Sequence, residues 1–180
     1  MPALHAIASD FWPLKRGEVM AADSVADSVW QVLDGMVLVE RDAPDARVSL
    51  RLALPSDWVG TEAMCDLSES TQVTALIPST VQAIAVRRLT VSAVMVRQHQ
   101  QSCDHLLALR SGPVEQRIDY LHALLQQASA GGQLVFPALR HIALLVDAAP
   151  ETVCRIIAPL RPGRTRPRAP LRLYQSAAFT

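Results

Sequence analysis

The most informative segment of this chain is 138–160, ALRHIALLVDAAPETVCRIIAPL. Its apolar residues recur at helical spacing over two short stretches, 138–146 and 150–160. Only Asp147 to Ala149 separate the two stretches. Pro150 suits the first turn of the second helix, where a backbone N–H has no helical partner in any case. Two short helices joined by about three residues are typical of a helix-turn-helix, so we predict a small helical domain here.

Positive charge is concentrated in this segment and after it. Residues 140–180 carry a net charge of +5 and residues 1–139 a net charge of −5, so the whole chain is neutral. A basic region of this kind indicates an anionic partner, with nucleic acid as the leading candidate. A solvated arginine-rich tail is the alternative. The positive charges are Arg140, Arg155, Arg161, Arg164, Arg166, Arg168 and Arg172.

The region 17–88 consists of short apolar runs separated by turn residues. The runs Trp30–Leu33 and Met36–Val39 flank Asp34-Gly35, a dipeptide that predicts a β-hairpin. Several short strands at this spacing predict a β-sandwich or a jelly-roll barrel. The further runs are 48–54, 73–77 and 81–86.

Residues 87–111 change to a helical pattern, in which apolar side chains are separated alternately by four and three positions. This spacing is typical of a seam along which two helices pair. We predict pairing with the same helix of a second copy, with the one polar seam residue, Gln100, fixing the register. A helix that lies on its own domain is the alternative. The predicted seam is Leu89, Ala93, Val96, Gln100, Cys103 and Leu107.

The order of these parts resembles the cyclic-AMP receptor protein/FNR (Crp/Fnr) superfamily of bacterial transcriptional regulators over nearly the whole chain. Lys15–Glu18 looks like the family's entry to its β-roll, and Val29–Val37 looks like its strand–turn–strand. Pro150–Ile157 resembles the family's recognition helix, whose core is R-E-T-V-x-R. The resemblance implies an α+β fold in three parts. These are a β-roll sensor domain at 1–86, a dimerisation helix at 87–111 and a winged helix-turn-helix DNA-binding domain at 112–180, with Leu171–Tyr174 as a closing strand.

The resemblance also implies a degenerate effector pocket. Val73 stands where nucleotide-binding members have an arginine, so a cyclic phosphate would lose its charge partner and its desolvation would be uncompensated. We therefore expect neither cyclic AMP nor cyclic GMP to bind. No Cys precedes Cys65 to hold an iron–sulfur cluster, and 58–64 contains no His for haem. Another small molecule, a partner protein or no effector at all remain open. The pocket residues are Gly60, Thr61, Glu62, Val73 and Thr74.

The resemblance implies that Glu151 and Arg155 read bases and that Thr152 contacts phosphate. The family's turn Gly is Asp147 here, and its Ser-Arg at the start of the recognition helix is Ala149-Pro150. Ala is a poor N-cap, so we expect a weaker helix start and one DNA contact fewer. The residues expected to attract the DNA backbone are Arg140, Arg161, Arg164, Arg166 and Arg168.

Several classes of protein are not expected. The three cysteines show neither a disulfide framework nor zinc-ligand spacing, and the histidines at 99, 105, 122 and 141 are isolated, so we expect no metal and no cofactor. The chain shows no nucleophile motif, glycine-rich phosphate loop or HExxH, and 17–88 has no His for a cupin-type metal site, so we do not expect an enzyme. No stretch approaches the roughly 20 apolar residues of a membrane span, and no signal peptide is evident, so a cytoplasmic location is expected.

The function that these features predict is sequence-specific DNA binding by a homodimer that regulates transcription from a pseudo-palindromic operator. The expected partners are double-stranded DNA and a second copy of the chain, with RNA polymerase as a further candidate and no membrane. The alternative is a sensor or protein-interaction module that derives from the same family and has lost DNA binding.

Overall fold

The computed structural model describes residues 11–21, 28–42, 47–61, 71–85, 91–129, 132 and 134–160. Within these residues, eight strands precede four α-helices. The strands are β1 (Phe11–Leu14), β2 (Val19–Ala21), β3 (Ser28–Asp34), β4 (Val37–Asp42), β5 (Arg47–Ala53), β6 (Trp58–Val59), β7 (Thr71–Ala75) and β8 (Ser79–Ala85). The helices are α1 (Val91–Arg110), α2 (Val114–Ala128), α3 (Leu139–Leu145) and α4 (Pro150–Ile157), and a 3-10 turn (Ala158–Leu160) follows α4.

The strands form two antiparallel four-stranded sheets, in the orders β1-β8-β3-β6 and β2-β7-β4-β5. Side chains alternate between the two faces of a strand, and the inward set from both sheets meets in one apolar interior. This arrangement is a β-roll, as the resemblance to the Crp/Fnr superfamily implies. Its buried interior consists of Leu14, Met20, Trp30, Val32, Val37, Val39, Ala53, Val59, Val73, Ala75, Val81 and Ala83.

The hairpin predicted at Asp34-Gly35 is wrong. β3 pairs with β8 and β6, whereas β4 pairs with β5 and β7, so the turn carries the chain from one sheet to the other. Gly35 has a φ of 89°, and a Cβ there would collide with Ser79 and the Pro78 carbonyl. A glycine is therefore needed at position 35, because the backbone passes close to the β7–β8 loop. The prediction failed because the dipeptide Asp34-Gly35 looks the same in a hairpin as in a turn that connects two sheets.

A second apolar cluster joins the outer face of the roll to the helices. Leu38 and Leu52, which are paired neighbours on β4 and β5, belong to it, and so do residues of all four helices. Two hydrogen bonds add to this packing: the backbone Gly35 N donates to Ala128 O at 3.2 Å, and the side-chain Arg16 Nη1 donates to Phe136 O at 3.2 Å. The helical part is therefore packed directly on the roll.

The helices lie where the apolar spacing of the sequence predicts them. α2 buries Ile118, Leu121 and Leu125, which recur at three and four positions on one face. The boundary predicted between residues 86 and 87 and the strand predicted at Leu171–Tyr174 lie outside the described residues.

Candidate nucleic-acid interface and sensor site

The short helix α4 has one buried face and one exposed face. Val153 and Ile157, four positions apart, are buried in the shared apolar cluster. Glu151 and Arg155, also four positions apart, are exposed on the opposite side, as is Cys154. An acidic acceptor and a guanidinium fork are thus displayed side by side on a helix whose other face is fixed in the core.

The exposed face of α4 forms part of an open depression of about 500 Å³. Because a residue of α3 also lines it, the depression spans both helices of the helix-turn-helix. Its lining is Leu139, Pro150, Glu151, Cys154 and Arg155.

The turn between α3 and α4 has the geometry of a Schellman cap. Asp147 adopts a left-handed φ of 45°, and Ala148 N donates to Ala143 O at 3.0 Å. α4 then begins without help from a side chain, since Ala149 makes no capping hydrogen bond. Both departures from the family pattern are thus visible in the structure. A residue other than glycine adopts the left-handed conformation in the turn, and Ala149 leaves the start of α4 without a side-chain cap.

The remaining predicted DNA contacts are only partly described. Arg140 is exposed on α3, and its Nε donates to His141 Nε2 at 3.3 Å. Burial and the positive charge of Arg140 lower the pKa of His141, with Glu40 acting in the opposite direction, so a neutral acceptor ring is favoured. Thr152 is half-buried. The predicted contacts Arg161, Arg164, Arg166 and Arg168 lie outside the described residues.

The long helix α1 also has two faces. Of the predicted seam, Val96 and Leu107 are 59% and 66% exposed, and Gln100 and Cys103 are exposed as well. The side chain of Ala93 and the whole of Leu89 lie outside the described part of the chain. The seam side chains that are described are therefore exposed, and Cys103 also lines the cavity between the roll and α1 described below.

The opposite face of α1 is bound to the roll through polar contacts. Gln98 is buried, and its side chain accepts from Trp58 N at 3.2 Å and donates to Trp58 O at 2.5 Å. Ser102 is buried one turn later and donates to the Gln98 carbonyl at 2.8 Å. Arg51 Nη2 also donates to Trp58 O, at 2.5 Å. Strand β6 is therefore held against α1 by the side-chain amide of Gln98 and linked to β5 by the guanidinium group of Arg51.

A cavity of about 300 Å³ lies between the roll and α1. Thr61, one of the predicted effector residues, is buried at its edge. The lining is Arg51, Thr61, Met95, Gln98, His99, Ser102, Cys103 and Leu106.

Among the described residues, the other predicted pocket residues Gly60, Val73 and Thr74 do not line this cavity. Val73 is fully buried in the roll interior and pairs across the sheet with Val39. Thr74 points to the other face of β7, where its hydroxyl donates to Glu40 Oε2 at 2.7 Å. Gly60 is buried after β6 with a φ of 82°, and Glu62 lies outside the described residues. Val73 and Thr74 thus face in opposite directions.

A polar cluster that the sequence did not reveal joins the roll, α1 and α2. His105 Nδ1 lies 2.9 Å from Tyr120 Oη, and Asp57 in the β5–β6 turn interacts electrostatically with His105. Burial lowers the pKa of His105, with Asp57 and Asp104 opposing, and raises the pKa of Asp57 and of Tyr120. These residues are far apart in sequence and form no local pattern, so only the packing of the elements identifies them.

The described residues contain neither a group of side chains that could hold a metal ion nor a helix that could cross a membrane. Among them, no three His, Cys, Asp or Glu side chains are grouped closely enough to hold a metal ion. None of the described helices is both long enough and apolar enough to cross a membrane.

The fold can be compared with known proteins. No protein-family model matches the sequence, and no curated protein matches it. A CRP-family transcriptional regulator from Thermus thermophilus shares 20% identity, with 83% of each chain covered and a TM-score of 0.63. FixK2 from Bradyrhizobium japonicum shares 21% identity over 86% of this chain and 85% of its own, with a TM-score of 0.61. A CRP/FNR-family regulator, also from Thermus thermophilus, shares 18% identity over 89% and 90%, with a TM-score of 0.60.

At these identities the likeness establishes the fold, and it covers the roll and the helices together. The resemblance stated from the sequence is confirmed at that level: the chain has the fold of the CRP/FNR family of transcriptional regulators.

Proposed function

We propose that this protein is a DNA-binding transcriptional regulator that acts as a homodimer on a pseudo-palindromic operator in the bacterial cytoplasm. The observation that carries the proposal is the exposure of Glu151 and Arg155 on one face of α4, whose other face is anchored in the core. The major groove of DNA admits an α-helix, and its base edges offer the groups that these two side chains bind.

Three side chains of α4 have distinct roles in this proposal. Arg155 presents a planar fork that suits the O6 and N7 atoms of guanine, and Glu151 accepts from the amino group of cytosine. Thr152 contacts a phosphate. The arginines of the C-terminal region supply attraction to the DNA backbone that does not depend on sequence. In the family that the sequence resembles, such a Glu/Arg pair reads a TGA-like triplet, which we expect in each half-site.

The proposed dimer uses the exposed face of α1. Val96, Gln100, Cys103 and Leu107 would face the two-fold axis, with Leu89 and Ala93 extending the seam. The domain plan accompanies this proposal: a roll at 1–86, a dimerisation helix at 87–111 and a DNA-binding domain at 112–180. The two recognition helices then enter successive major grooves, with half-sites about 34 Å apart. RNA polymerase is a further proposed partner.

A second candidate function is a protein-interaction module that derives from this family and no longer binds DNA. The uncapped start of α4 favours it, because Ala at an N-cap costs about 1 kcal/mol relative to Ser. The Pro150 side chain also offers no donor where the family has an arginine. Both candidates share the fold, so only binding experiments separate them.

Selection of bound sequences from a random DNA pool tests the proposal. We expect enrichment of a pseudo-palindrome with a TGA-like triplet in each half and centres roughly 34 Å apart. If the protein enriched no sequence from the pool, the result would support the interaction module instead.

Substitution of Arg155 tests the assignment of α4. Arg155→Ala should cost about 1–3 kcal/mol of binding free energy and blur the preference at the guanine position. Arg140→Ala is the matched control, since it also removes one exposed arginine and should weaken all sequences alike. If Arg155→Ala left both affinity and sequence preference intact, α4 would not be the reading helix.

A further inference from the structure

Arg117, on α2, forms hydrogen bonds to two different interhelical junctions. Its Nε donates to Gly112 O at 2.8 Å, at the junction between α1 and α2. Its Nη1 donates to Val146 O at 2.9 Å and to Asp147 O at 3.3 Å, in the turn between α3 and α4. The side chain is half-buried between these junctions. One guanidinium group therefore connects the end of the long helix α1 with the turn that precedes α4.

The turn that Arg117 contacts is the strained part of the helix-turn-helix. Asp147 has a φ of 45°, in the left-handed region where a Cβ is unfavourable and where this type of helix cap usually has glycine. The carbonyl groups at the end of α3 carry partial negative charge, which a cation stabilises. Arg117 supplies that cation and two of the hydrogen bonds that the carbonyls need.

We propose that Arg117 is a positioning residue for DNA recognition. It holds Asp147 in the left-handed turn and so sets the direction in which α4 leaves α3. That direction determines how Glu151 and Arg155 are presented. The inference rests on the proposed DNA-binding function, and it explains how the chain keeps this turn without the usual glycine.

The geometry requires arginine rather than a general positive charge. Nε and Nη1 are fixed in one plane and address two junctions at once. A lysine is a single point donor on a flexible stem and can reach only one junction at a time. We therefore expect Arg117→Lys to retain part of the effect and Arg117→Gln to lose it.

A double-variant experiment tests whether Arg117 acts through the turn. The DNA probe is the operator obtained by selection, and competition with an unrelated duplex at fixed salt gives the specificity ratio. Arg117→Gln should weaken operator binding by at least about tenfold, or about 1.4 kcal/mol, and should lower the specificity ratio. Asp147→Gly relieves the strain, so Arg117→Gln/Asp147→Gly should bind within about twofold of the wild type. Arg97→Gln removes the same charge from an exposed site on α1 and should leave both quantities unchanged.

Hydrogen exchange gives a second readout that does not depend on DNA. The Ala148 amide, which donates to Ala143 O, should be protected in the wild type, exposed in Arg117→Gln and protected again in the double variant. Unchanged affinity and protection in Arg117→Gln, or a double variant no better than the single one, would overturn the inference. If the wild type bound no DNA, the proposed function would be wrong. The hydrogen-exchange data alone would then test whether Arg117 stabilises the turn between α3 and α4. If Arg117→Gln did not fold, Arg117→Lys and the double variant would decide.

Discussion

The two apolar clusters of this protein differ in the origin of their side chains. The interior of the roll is built only from residues of the roll, between Leu14 and Ala83. The second cluster combines the outer face of the roll, including Leu38 and Leu52, with side chains of α1 to α4. The roll thus closes its own core, whereas the helices pack on one another and on the outer face of the roll. α4 packs on α2 and α3, which belong to the same cluster as Leu38 and Leu52 of the roll.

Adjacent residues on β4 offer the strongest test of this difference. Leu38 faces the helices and Val39 faces the roll interior, and both are buried. Leu38→Ala should lower the free energy of unfolding by about 2–5 kcal/mol. Val39→Ala, which removes two carbon atoms, should lower it by about 1.5–2 kcal/mol. Urea unfolding of the two variants measures these values.

Hydrogen exchange on the same two variants locates the damage. Leu38→Ala should accelerate amide exchange in α2 and α3 more than in the strands, since it weakens the surface on which those helices rest. Val39→Ala should show the reverse pattern. Equal acceleration of all elements in both variants would mean that the two clusters form one cooperative unit.

A smaller effect is expected from pH at the point where the roll, α1 and α2 meet. Burial lowers the pKa of His105 below 6.5, so below about pH 6.5 the unfolded chain binds more protons than the folded one. Stability should therefore fall as the pH decreases from about 7 through the folded-state pKa. His141 has a lowered pKa and acts in the same direction. The raised pKa of Asp57 has the opposite effect on stability. Ionisation of this partly buried carboxyl group lowers the stability as the pH rises from 3.8 through its folded-state pKa.

The His105 contribution can be isolated by substitution. Urea unfolding between about pH 7 and pH 5.5 should show a weaker pH dependence in His105→Gln than in the wild type. His99→Gln is the control, because it makes the same change at an exposed position on α1. A His105→Gln protein with the full pH dependence of the wild type would contradict this interpretation.

The sequence predicts elements better than it predicts their partners. Helices α3 and α4 follow from apolar spacing, and the apolar run Met36–Val39 has no polar face, which is the pattern of a strand buried on both sides. By contrast, Gly35 looks the same in a hairpin as in a turn between sheets. The contacts of Arg117 with Val146, and of His105 with Tyr120, depend on how separate elements pack, so no local pattern contains them.

The effector site illustrates the same limit and leads to the smallest expected effect. The sequence shows that Val73 replaces an arginine, and the structure adds that its side chain fills the interior of the roll beside Val39 and Val59. A cyclic phosphate placed there would have to displace packed apolar groups and would meet no cation from Val73.

Cyclic AMP or cyclic GMP at about 1 mM should therefore leave the melting temperature unchanged, whereas a ligand with a micromolar dissociation constant would add about 4 kcal/mol of stability. Thermal unfolding with and without each nucleotide measures this, and isothermal calorimetry confirms a negative result. A rise of several degrees would show that another cation takes the place of the arginine. Arg51, which lines the cavity between the roll and α1, would then be the first residue to substitute.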